Sequence, residues 1–130
     1  MIRALLVLSA LATPLHAQSA MTGDAFDRFT KGKTLFFSQG GEAYGAERYL
    51  DNRKVIWSFL DGECKNGVWY EDAGRICFLY EDRLDPQCWV FRQNEGSLIA
   101  EFSGDGQSQD QYEAHDIGED LLCLGPDVGV

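Results

Sequence analysis

Residues 76–91 read ICFLYEDRLDPQCWVF. Two runs rich in aromatic and branched residues, each holding one cysteine, flank an acidic stretch that ends in proline. If Cys77 sits opposite Cys88 in an antiparallel pair, Ile76 faces Trp89 and Leu79 faces Pro86. Side chains alternate faces along a strand. Ile76, Phe78 and Tyr80 then share one face with Trp89 and Phe91. Arg75, Cys77 and Leu79 share the other with Cys88, Val90 and Arg92. One register therefore gathers the bulky apolar groups and keeps both arginines away from them, and a slip of one residue would mix the faces. This reading predicts a stapled hairpin, with disulfides Cys77–Cys88 and Cys64–Cys123. Four cysteines allow three connectivities, and spacing alone leaves the other two open.

The same grammar extends outward. From residue 33 onward, short runs alternate with turn residues: KTLFFS, EAYGAERYL, KVIWSFL, ECKNGVWYED, RICFLYED, PQCWVFRQ and SLIAEFSG, then a weaker QYEAHDI after the polar loop GDGQSQD. Gly40-Gly41, Asp51-Asn52, Asp61-Gly62, Asp72-Ala73-Gly74, Leu84-Asp85 and Asn94-Glu95-Gly96 mark breaks. Connections this short join antiparallel neighbours, since parallel strands need long crossovers. Seven or eight such strands must hide their edges. The predicted fold is all-β, an antiparallel up-and-down meander closing into a small lipocalin-like barrel, with a two-layer β-sandwich as the alternative. Ahead of it, TGDAFDRFTKG predicts one short helix at about 22–31. Thr22 is its N-cap, Asp24 lies in the first turn, Phe26 and Phe29 share a face, and Gly32 is the stop.

The first residues, MIRALLVLSALATPLHA, combine Arg3, a short apolar run and small residues before a cut near Ala17. This pattern predicts a cleaved secretory signal peptide over residues 1–17, with 18–130 as one disulfide-stapled domain. The apolar run is too short for a membrane span, which needs about 20 residues. An even cysteine count in a short exported chain fits two disulfides in an oxidising compartment, periplasmic or secreted. The chain has 21 acidic against 11 basic residues and a net charge of −10. That balance argues against nucleic acid and anionic membrane surfaces as partners, and is compatible with a cationic protein partner.

Catalytic and metal motifs are sparse. No C-x-x-C occurs, so zinc and thioredoxin spacings are missing. No G-x-S-x-G or phosphate-cradling glycine loop is present, and Asp105 and Asp110 do not match the calcium-loop pattern. No cofactor is expected. His115 is the sole histidine after the leader, and the adjacent Asp116 points to the opposite face of a strand. Glu47 stands out in YGAERYL because it shares a strand face with Gly45 and Tyr49, so it can point inward. Together with Trp57, Trp69 and Trp89 on three different strands, Glu47 and Tyr49 form the candidate ligand-lining set. The same rings can equally fill a small core.

The run from GKTLFF through YGAERYL, DGECKNGVWYED and RICFLYED to QCWVF resembles a broad family of small secreted bacterial proteins of unknown function. The matching positions are Gly32, Thr34, Gly45, Glu47, Tyr49, Cys64, Gly67, Trp69, Cys77 and Cys88. The resemblance implies export and a β-meander, and carries no activity. The sequence therefore predicts a secreted or periplasmic, non-catalytic binding module of unknown ligand, holding a small apolar molecule or a protein partner. Two alternatives are an acidic inhibitor-like protein that meets a cationic envelope enzyme, and a small hydrolase using Glu47 or His115.

Overall fold

The computed structural model describes residues 19–104 and 110–124. The expected leader and most of the GDGQSQD loop lie outside them. Among the described residues, eight antiparallel strands follow one α-helix, α1 (Gly23–Thr30). They are β1 (Thr34–Gln39), β2 (Glu42–Tyr49), β3 (Lys54–Ser58), β4 (Lys65–Asp72), β5 (Arg75–Tyr80), β6 (Gln87–Asn94), β7 (Ser97–Phe102) and β8 (Gln111–His115). Each strand pairs with the next and β8 returns to β1, closing the barrel. The ring has no free edge, so the sandwich alternative does not apply.

Turn chemistry explains the tight connections. Gly40-Gly41, Ala73-Gly74 and Glu95-Gly96 each join strands paired up to the flanking residues, and all six residues have positive φ. Two left-handed residues in a row match the twist of the strands they link. The opening stretch pairs as expected: Ile76 lies opposite Trp89 and Cys77 opposite Cys88. Disulfides join Cys77 to Cys88 and Cys64 to Cys123.

The helix closes one end of the barrel. Thr22 Oγ1 accepts from the Ala25 amide at 3.1 Å. Phe26, fully buried, sits among Phe91, Trp69, Tyr49 and Phe78 at ring separations of 4.6–6.2 Å. Polar contacts pin α1 in place. The Gly23 amide donates to Glu71 Oε2 at 2.6 Å, the Met21 amide to the Phe91 carbonyl at 2.8 Å, and the Gly32 amide to the Tyr49 carbonyl at 2.9 Å. Arg53 lies over the Trp69 ring at 4.5 Å.

The C-terminal tail runs back along the outside of the wall, from the helix end towards the open end. Asp120 Oδ1 accepts from Thr34 Oγ1 and Arg48 Nε, both at 2.8 Å. Leu121 is buried, the Leu124 amide donates to the Gly62 carbonyl at 2.6 Å, and Cys123 is locked to Cys64 ahead of β4. Outward-facing Ala46 and Ser58, on the stretch of wall between those anchors, are buried as well. No helix among the described residues is long and apolar enough to cross a membrane. The two disulfides fit an extracytoplasmic setting.

Candidate functional site

The barrel interior divides into two halves. Towards α1 it is solid with rings. Towards the opposite end, where the 59–64 and 81–86 loops lie, it opens into a cavity of about 70 Å³, counted as the space open to the centre of a water molecule. One water needs about 10–15 Å³ on that measure, so there is room for several waters or one small ring system.

Glu47 lies on the cavity lining, facing inward from the middle of β2 at 2% exposure. Tyr80 Oη donates to Glu47 Oε2 at 2.5 Å. Two glycines make that geometry possible. A Cβ on Gly67 would stand 2.7 Å from the Tyr80 ring, so the bare backbone of β4 lets Tyr80 lean across it from β5 towards β2. Gly45 does the same for Trp57, whose ring lies over its Cα. The Tyr49 hydroxyl is also buried nearby and has no partner at hydrogen-bond geometry among the described residues.

Burial dominates the electrostatics. It pushes Glu47 up to about 8, against the opposing effect of the Tyr80 hydrogen bond and the nearby Tyr49 hydroxyl. The carboxyl is therefore mostly neutral at pH 7 and carries a proton it can donate. Burial, reinforced by Glu47, pushes Tyr49 and Tyr80 well above the usual phenol value.

The walls above this floor are unequal. A chain of ring contacts runs along one arc: Phe37 to Trp57 at 5.7 Å, Trp57 to Phe59 at 5.3 Å, Phe59 to Tyr44 at 5.7 Å, Tyr44 to Tyr112 at 4.5 Å and Tyr112 to Trp89 at 5.5 Å. The remaining arc, from β4 to the start of β6, has the Phe78 and Tyr80 rings on its lower part and carries Lys65, Asp82, Arg83 and Gln87 at the mouth. Lys65 Nζ meets Asp82 Oδ2 at 2.7 Å.

Of the residues singled out in the sequence, Glu47, Trp57 and Trp89 line the cavity together. Tyr49 and Trp69 sit lower, against Phe26, in the filled half. His115 lies on the outer face of β8, exposed, with Nε2 3.3 Å from Glu113 Oε2, so the barrel wall separates it from Glu47. Sequence reasoning missed Lys65, Tyr80, Asp82, Arg83 and Tyr112. Tyr80 had a signal, since strand alternation already placed it on the inner face with Phe78 and Trp89. The mouth residues of the 81–86 loop had none, because a loop carries no face periodicity. Comparison with family models, with characterised proteins and with solved structures gives no match for this chain.

Proposed function

We propose that the protein is a secreted or periplasmic, non-catalytic binding module that holds a small, largely apolar ligand in the open half of its barrel. One observation carries this reading: the interior is packed only at the helix end, and the hollow half is walled largely by aromatic rings and floored by a buried carboxyl. A void in a core costs stability in proportion to its volume, and burying an acid costs more. An interior shaped only by folding stability would place an aliphatic side chain at position 47. Pockets with apolar walls and a few convergent polar groups of shifted pKa are the usual form of small-ligand sites. Export is supported by the two disulfides and by the leader-like residues 1–17.

Native mass spectrometry of the protein isolated from its own host tests this directly. The expected result is a complex heavier than the disulfide-bonded polypeptide, reverting to the bare mass on denaturation. Bare polypeptide alone, from gentle isolation, would contradict the reading.

A further inference from the structure

Resting on the binding reading above, we propose that the cavity takes a small planar acid, with its ring against Trp57, Trp89 and Tyr112 and its anionic group held at the mouth by Arg83. The asymmetry of the lining carries the argument. The aromatic arc offers flat faces for a ring. The mouth of the opposite arc offers Lys65, Arg83 and Gln87 as donors. Its single acid, Asp82, is already engaged by Lys65 at 2.7 Å. The guanidinium of Arg83 has neither an ion pair nor a side-chain hydrogen bond among the described residues, in a chain where acids outnumber bases 21 to 11. Burial and Tyr112 raise the Tyr44 phenol, and Arg83, across the mouth, lies close enough to oppose them. A planar guanidinium suits bidentate capture of a carboxylate. The floor agrees: a neutral Glu47 neither repels an anion nor attracts a cation.

The groups facing Glu47 leave it as the titrating element. Tyr49 and Tyr80 are held well above the usual phenol value, burial raises Tyr44 and Tyr112 as well, and the Lys65 hydrogen bond lowers Asp82. Once Glu47 ionises, an anionic ligand meets a like charge on the floor, and its affinity falls.

The test uses the disulfide-intact protein, labelled with nitrogen-15 and titrated with benzoate, benzamide and benzylamine. Benzoate should shift the indole N–H signals of Trp57 and Trp89 and bind the tightest of the three. Arg83→Gln should weaken benzoate by about 10-fold or more, the value of a charge-assisted hydrogen bond, and leave benzamide unchanged. Benzoate affinity should fall between about pH 7 and about pH 9, and Glu47→Gln should remove that fall. Equal or tighter binding of benzylamine or benzamide, or indifference of benzoate to Arg83→Gln, would overturn the acid while leaving a binding module. If none of the three moves either indole signal, the binding reading itself fails.

Discussion

At residue 47 the chain accepts a cost that most cores avoid. The Glu47 carboxyl is buried, bonded to Tyr80 and neutral at pH 7. Its folded pKa, about 8, lies above the unfolded value near 4.5, so the folded state binds the proton more tightly. The resulting contribution is fully present below about pH 4.5 and is lost as pH rises through about 8. Glu47→Gln mimics the neutral acid and keeps an acceptor for Tyr80. The stability of this variant relative to wild type should therefore improve across that window, by at most about 1.4 kcal/mol per pH unit. Chemical denaturation of both proteins at a series of pH values checks it. Gly67→Ala should act through the same group. The added Cβ pushes Tyr80 away from Glu47, and a loss of about 1–3 kcal/mol is expected from overpacking. That Glu47 could point inward was legible from the alternation in YGAERYL. Its partner was not, since Tyr80 is 33 residues away on β5, three strands along the ring, and reaches Glu47 only because Gly67 is bare.

Among the elements, the hairpins were the most legible and the helix nearly as much. Both rest on local chemistry: paired left-handed turn residues, face alternation, a Thr22 cap and a glycine stop. What local chemistry does not report is where the helix goes. That Phe26 and Phe29 share a face does not say what the face packs against. Phe26 enters the barrel, and Phe29 packs beside the core cluster. Phe26→Ala should cost about 3–5 kcal/mol, because four surrounding rings lose their common partner. Thermal unfolding by circular dichroism measures this. The turn at Glu95-Gly96 offers the opposite change. Glu95 holds φ 48° in an exposed turn, a conformation that asparagine adopts more readily. Glu95→Asn should raise stability by about 0.5–1 kcal/mol, read from the denaturation midpoint.

Viewed as a whole molecule, the barrel is closed three ways: strand by strand around the ring, by α1 at one end, and by the tail strapped outside. The strap was half legible. The cysteine arithmetic tied Cys123 to Cys64, but nothing in the DIGED run at residues 116–120 announces that Asp120 will gather Thr34 and Arg48. Those hydrogen bonds, led by the one from Arg48, hold the exposed Asp120 carboxyl down at about 2. Its folded pKa is depressed, so its contribution is present above about pH 4 and is lost as pH falls through about 2. Amide exchange of Leu121 and Leu124 should accordingly rise over that acid window before the barrel amides follow. Opening Cys64–Cys123 by substituting both residues with serine should cost about 4 kcal/mol on the chain-entropy model, for a sequence separation of 59. The shorter Cys77–Cys88 loop, with a separation of 11, should contribute about 3 kcal/mol.

The account depends on an interior that is solid at the helix end and hollow above a buried carboxyl. Carbon-13 NMR of the Glu47 side chain, titrated in the disulfide-intact protein, reads that carboxyl directly. A midpoint near pH 8 is predicted. A midpoint near 4.5, the value of an ordinary solvated glutamate, would contradict it.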